Sequence, residues 1–189
     1  MDHYLELRLL PDPEFKTTVL MNALFAKLHR ALFDLNSTRI GISFPGVQAD
    51  PKHLSLGDRL RLHGTVDDLR ALMALNWLAG MSDHTDLHGP APVPATASYR
   101  VVRRVQAKSS PERLRRRLAR RKALSAEATR LAIPDDKAER LHLPYVTITS
   151  RSTGQTFRLF IEHRPPGSEV AHGSFSDYGL SPTATVPWF

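Results

Sequence analysis

The stretch Tyr4–Leu35, YLELRLLPDPEFKTTVLMNALFAKLHRALFDL, contains two hydrophobic periods, and the change from one to the other decides the fold. From Tyr4 to Leu10 the residues alternate, with Leu5, Leu7 and Leu9 on one face and Tyr4, Glu6 and Arg8 on the other, which is the pattern of a half-buried strand. Pro11 and Pro13 end it. From about Phe15 to Leu35 the spacing becomes helical, with Leu20, Leu24, Leu28 and Leu32 in one row and Phe25, His29 and Phe33 in the next. His29 therefore stands on the flank of a buried stripe. Arg39–Phe44 and Arg59–His63 read as strands, and Thr65–Ala79 reads as a second amphipathic helix with Thr65 as its cap and Gly80 as its stop. A short strand near Met81–Leu87 completes β-α-β-β-α-β, the ferredoxin-like order in which two helices pack on one face of an antiparallel sheet. The fold class is α+β.

Gly89–Ser98, GPAPVPATAS, lacks apolar periodicity and reads as a semi-rigid linker. It divides the chain into an N-terminal ferredoxin-like domain, 1–94, and a smaller C-terminal α/β domain, 95–189. The second domain starts with a strand, Tyr99–Gln106, on which Arg100, Val102, Arg104 and Gln106 share a face. Next comes Ser109–Lys122, SSPERLRRRLARRK. Ser110 suits the cap of a helix, Pro111 its first position and Glu112 the positive end of its dipole. Arg113, Arg116, Arg117, Arg120 and Arg121 fall on one face beside a narrow stripe of Leu114 and Leu118. Such runs are most often solvated charged faces. Here only Glu112 offers a local acidic partner, and arginine, whose planar fork suits phosphate oxygens and base edges, far outnumbers lysine; both features favour a polyanion, nucleic acid above all, over an acidic protein or a membrane surface. A helix at Ser125–Ile133, a short helical stretch to Leu141 and a hairpin of Tyr145–Thr149 with Gln155–Glu162 around the turn Arg151–Gly154 follow. Phe175, Tyr178 and Trp188 suggest that the tail folds back onto the core.

Composition narrows the classes. The 189 residues carry a net charge of +7 and no cysteine, which excludes disulfides and thiolate metal sites and permits a reducing cytoplasm. The beginning MDHYLELRLL resembles a first strand more than a signal peptide, and no segment is apolar and long enough to span a bilayer, so no membrane partner is expected.

Six motifs together resemble one family. MDHYLELRL with PDPEF, RIGISFP at Arg39–Pro45, RVQAKSSPERLRRRLARR at Arg104–Arg121, STGQTFRLFI at Ser152–Ile161, YGLS at Tyr178–Ser181 and the terminal VPWF resemble the repeat-processing endoribonuclease of subtype I-F CRISPR systems, the Csy-type endoribonuclease, nearly end to end. The resemblance implies cleavage of precursor CRISPR RNA at the base of a repeat hairpin, without metal or cofactor, by attack of a ribose 2′-hydroxyl on the adjacent phosphate. A 2′,3′-cyclic phosphate and a 5′-hydroxyl result. It implies His29 as the group that takes the 2′-hydroxyl proton, a task that suits an imidazole titrating at about 6.5, although a single histidine flanking an apolar stripe is more often structural. Ser150 is implied to hold the 2′-hydroxyl, with Ser152 as the neighbour that an alignment slip would substitute, and Tyr178 to orient the histidine. Either could by residue type alone be an ordinary turn or packing residue. For RNA contact the resemblance implies Arg104 and Gln106 as base readers, Phe157 as a stack on the terminal base pair, and Lys108, Arg115, Arg116, Arg117, Arg120 and Arg121 as further contacts, mostly to phosphates. Their alternatives are a salt-bridged strand surface for the pair and a buried strand face for Phe157. The implied partners are the CRISPR repeat hairpin RNA and the other subunits of the subtype I-F surveillance (Csy) complex, in the cytoplasm.

His84 and His88, with Asp83 and Asp86, have an i,i+4 spacing that would hold a metal only on a helix, where a strand is expected, so no metal site is assigned. The remaining histidines are scattered and taken as surface or structural. A non-catalytic hairpin-binding assembly factor would need the groove contacts but not His29 with Ser150; a DNA-binding protein would use the same helix without preference for ribose.

Overall fold

In the computed structural model the elements are, in chain order, β1 (His3–Leu9), α1 (Thr17–Leu35), β2 (Gly41–Ser43), β3 (Gln48–Asp50), β4 (His53–Ser55), β5 (Arg59–Gly64), α2 (Val66–Met73), β6 (Thr85–Pro92), β7 (Ser98–Val105), α3 (Pro111–Lys122), α4 (Ala126–Ala132), β8 (Tyr145–Thr149), β9 (Thr156–His163) and β10 (Thr185–Trp188). The structure describes residues 1–50, 52–106, 111–134, 141–150 and 154–189, with side chains left out at 111–113. Lys108, Ser109, Ser110, Ser152, most of the turn after β8 and the short helix expected before Leu141 thus lie outside the described residues, as do the side chains of Pro111, Glu112 and Arg113.

The alternation of the first strand has the expected consequence: Leu5, Leu7 and Leu9 are buried, and β1 lies inside a four-stranded antiparallel sheet of order β2-β5-β1-β6. Helices α1 and α2 pack on β1 and on each other. The row Leu20, Leu24, Leu28 and Leu32 is buried together with Met21, Phe25 and Ala31. Thr65 caps α2: its Oγ1 accepts the Asp68 N–H at 3.2 Å and donates to Asp68 Oδ2 at 2.7 Å. That helix ends at Met73, six residues before the expected end, and turns carry the chain on through Asn76 and Gly80, both at positive φ.

The linker expected at Gly89–Ser98 is corrected. Gly89–Pro92 is the end of β6, paired to β1 as far as His3 opposite Pro92. Its prolines are tolerated because β6 is the sheet edge, where one side needs no amide donor. Gly89 is required by crowding, since a Cβ there would stand 2.7 Å from the Tyr4 carbonyl.

A second antiparallel sheet has the order β10-β7-β9-β8. It adjoins the first where β10 touches β2 and α1 touches β8, and side chains of both sheets join one core. The tail does fold back: Phe175 is buried and β10, not expected from the sequence, pairs with β7. The compact units are therefore Met1–Val105 with Leu143–Phe189, and Gln106–His142, a division that differs from the one expected at 94/95. In the smaller unit Ser125 caps α4 by accepting the Ala128 N–H at 3.2 Å, and Arg115 Nε–H donates to the Ile133 carbonyl at 2.8 Å, tying α3 to the end of α4. Among the described residues no helix is long and apolar enough to cross a membrane.

Candidate active site

Because α1 buries Phe25, Leu28 and Leu32, His29 is left at the edge of the stripe, half exposed and facing the turn 176–180. That turn is closed on itself. Gly179 N–H donates to the Ser176 carbonyl at 2.7 Å, and Ser176 sends both its N–H and its hydroxyl to the Leu180 carbonyl, at 2.9 and 3.0 Å. It is also pressed against β2: the Ile42 N–H donates to the Gly179 carbonyl at 2.9 Å, and a Cβ on residue 179 would stand 2.6 Å from Ile42 Cγ2. With a φ of +68° as well, only glycine fits there.

The turn presents two groups to the histidine. The Asp177 carbonyl accepts the Nδ1–H of His29 at 2.9 Å, and the Tyr178 ring lies on the imidazole with centroids 4.1 Å apart and planes 13° apart. Phe25 stacks with Tyr178 in turn, 6.4 Å away and 11° off parallel. A carbonyl can only accept, so Nδ1 carries the hydrogen, and in the neutral form of the ring the lone pair is at Nε2. The arrangement fixes a tautomer and an orientation.

The opposite wall comes from the β8–β9 hairpin, tied to α1 by the Thr147 N–H donating to Asn22 Oδ1 at 2.9 Å. Its turn begins at Ser150, whose N–H donates to the Gln155 carbonyl at 2.9 Å and whose carbonyl accepts the Gly154 N–H at 2.8 Å. Ser150 and the half-buried Phe157 line one cleft of about 410 Å³ with His29, Arg30, Phe33 and Tyr178. The Arg104 guanidinium carbon lies 5.5 Å from the Tyr178 ring centroid and 5.8 Å from that of Phe157, within cation–π range of both. So His29, Ser150, Tyr178, Phe157 and Arg104 are brought together.

Gln106 lies just past the end of β7 and is exposed, and Arg116, Arg117, Arg120 and Arg121 are exposed on α3. Arg115 is half buried and holds Ile133, so it has a structural bond inside its own unit. His84 pairs with Asp12 at 3.0 Å and His88 with Asp86 at 2.9 Å, separate carboxylates, and no group of three or more His, Cys, Asp and Glu that could hold a metal ion occurs among the described residues. His63 and His163 are structural: burial pulls both down to about 3, the Ser43 hydroxyl meets His63 Nε2 at 2.8 Å, and His163 Nε2 accepts the Phe44 N–H at 3.2 Å.

Arg30, Phe33, Asp34 and the Asp177 carbonyl also reach the cleft and were not singled out from the sequence. Helical spacing places Phe33 in the row of Phe25, and nothing in that spacing tells a ring facing a cleft from a ring facing the core.

The comparisons with known proteins agree with one another. Residues 4–189 match the family described as CRISPR-associated protein (Cas_Csy4). Over 189 residues and the full length of both chains, the sequence is 55% identical to the "CRISPR-associated endonuclease Cas6/Csy4" of Pseudomonas aeruginosa (strain UCBPP-PA14). It is 47% identical, again over both full lengths, to the protein of the same name from Escherichia coli (strain UTI89 / UPEC).

Proposed function

This chain belongs to the Csy4 family of CRISPR-associated proteins, and from that premise we propose that it binds the repeat hairpin of precursor CRISPR RNA and cuts at the base of the stem with His29 as general base. It is an endoribonuclease that processes CRISPR RNA. The observation that carries the finer reading is the histidine held from two sides, by the Asp177 carbonyl at Nδ1 and the Tyr178 ring on its face, so that Nε2 is presented as the base.

The step balances on groups of the RNA and of this chain. The 2′-oxygen of the nucleotide at the foot of the stem attacks the adjacent phosphorus while its proton passes to His29 Nε2. The bond from phosphorus to the 5′-oxygen breaks, and that oxygen takes a proton from water to become a 5′-hydroxyl. A 2′,3′-cyclic phosphate remains on the hairpin. Ser150, which lines the same cleft as His29, holds the 2′-hydroxyl; Tyr178 keeps the imidazole in plane. With an internal nucleophile and a neutral base, no metal is needed. Phe157 stacks on the terminal base pair and Arg104 reads a guanine edge beside it, with Gln106 at an adenine edge. Lys108 and the exposed arginines of α3 grip phosphates in the major groove, accessible because the hairpin is short.

In this reading residues 1–94 supply His29 and residues 95–189 supply the serine, the tyrosine and the RNA contacts. The order β2-β5-β1-β6, with α1 and α2 as the connections, supports the ferredoxin-like reading of the first part. The product hairpin stays bound, and the chain enters the subtype I-F surveillance complex in the cytoplasm. The test is end-group analysis of products made in excess EDTA: a 2′,3′-cyclic phosphate and a 5′-hydroxyl are expected, and a 5′-phosphate or loss of cutting would overturn the mechanism.

A further inference from the structure

One turn past His29, Phe33 is 64% exposed, and no phenylalanine, tyrosine or tryptophan among the described residues is more exposed. It is not a stray surface ring, because it lines the same cleft as His29 and Ser150. Arg30, also on that cleft and exposed, makes no hydrogen bond or ion pair with any described residue. An apolar plane and a guanidinium without a hydrogen-bond or ion-pair partner among the described residues thus lie three residues apart on one helix, where α1 puts them on neighbouring positions of one face.

On the reading above, Phe157 and Arg104 hold the base pair on the hairpin side of the cut. The nucleotide on the other side has no stem to hold it, yet its phosphate must be in line with the 2′-oxygen before the bond can break. Residues Arg30 and Phe33 extend the α1 wall of the cleft on from His29, over about 6 Å of helix axis. We propose that Phe33 and Arg30 form a subsite for the nucleotide that follows the scissile phosphate, the base stacking on the Phe33 ring and the guanidinium of Arg30 facing the phosphate. The inference rests on the proposed function. Asp34, beside Phe33 on the cleft, repels phosphate, so that end of the subsite receives the base and not the backbone. Every base has a π-face, so the subsite accepts any of the four. It also gives the two products different fates: the hairpin keeps its stem contacts and the phosphate that Arg30 faces, while the 5′-hydroxyl fragment keeps only one stack and leaves.

The test uses binding to RNA that cannot be cut. Three repeat hairpins, each with a 2′-deoxy nucleotide at the position of attack, end at the scissile phosphate, in one further nucleotide, or in one further abasic unit. Wild-type protein is expected to bind the hairpin with the further nucleotide about 5-fold or more tightly than the other two, the worth of one base–aromatic stack. Phe33→Ala is expected to erase that ratio without changing affinity for the hairpin that ends at the cut, and Phe33→Trp to keep it. Equal affinity of wild-type protein for the base-bearing and abasic RNAs would overturn the proposal, as would a Phe33→Ala loss shared by all three hairpins, the outcome of a protein-docking or structural role. Failure of wild-type protein to cut the all-ribose hairpin would count against the proposed function instead, and the affinity ratio is read whether or not cutting occurs.

Discussion

The turn 176–180 and the helix α3 both present polar groups, and they hold them in opposite ways. In the turn the groups that matter are pinned: main-chain and hydroxyl donors close it, β2 backs it, and Asp177 and Tyr178 leave His29 a single orientation. On α3 the side chains of Arg117, Arg120 and Arg121 are exposed. In the proposed mechanism the base must be fixed to within a fraction of an ångström, and a core helix and a crowded glycine suit that demand. Adhesion to a phosphate backbone depends on charge number and released counterions, and tolerates long, mobile side chains. Under the proposed function, rate would then belong to the one region and salt-dependent affinity to the other.

The sharpest way to break that assignment is His29→Ala. It is expected to lower the single-turnover cleavage rate by about 10²- to 10⁴-fold while hairpin affinity stays within a few-fold. A comparable loss of affinity would make His29 a binding residue.

Two buried histidines bonded at Ser43 and Phe44, at the end of the strand that backs the turn, make the fold sensitive to acid. His63 and His163 bind protons at about 3 when folded against about 6.5 when unfolded, so the unfolded state takes up more protons between those values and stability falls with pH across that window. Each can cost about 2 kcal/mol between pH 7 and pH 5, and little changes above pH 7. Denaturant titrations at pH 7 and 5 for wild type and His163→Gln read this; equal slopes with pH in both would remove His163 as a cause.

Gly179→Ala tests the backing of the turn. Positive φ and the approach to Ile42 together are expected to cost about 1–3 kcal/mol of stability and to slow cleavage by displacing Asp177 and Tyr178. Unchanged cleavage would mean that the turn does not orient the base.

The smallest effects belong to α3. Changing Arg117, Arg120 or Arg121 singly to alanine is expected to weaken all hairpins alike and to flatten the salt dependence by roughly one unit or less per contact. Arg104→Ala is expected to cost about 1–3 kcal/mol for the cognate hairpin alone. Titrations of cognate and base-swapped hairpins at several salt concentrations separate the two. An α3 change that altered sequence preference but not the salt slope would merge them.

How much of this was legible follows the same contrast. Alternation around Leu7 and the helical rows around Leu28 are local and strong, so β1 and α1 could be read directly, as could the charge of α3. β10 could not, because TVPW is short and carries a proline, and its strand character comes from pairing with β7. The prolines after Gly89 suggested a linker because a sequence does not show which strand will be an edge. Residue type and spacing left His29 a flank residue. Its partner carbonyl at Asp177 is 148 residues away, and the resemblance to a family pointed only at the neighbouring Tyr178.

The measurement that bears most directly on the central claim is single-turnover cleavage of the repeat hairpin carrying one 2′-deoxy substitution at the foot of the stem, beside the all-ribose hairpin. With the 2′-oxygen as nucleophile and His29 as its base, the substituted RNA is bound with affinity close to that of the ribose form and is not cut. Cutting of the substituted RNA at the rate of the all-ribose hairpin would contradict the account, because the group from which His29 is said to take a proton would then play no part.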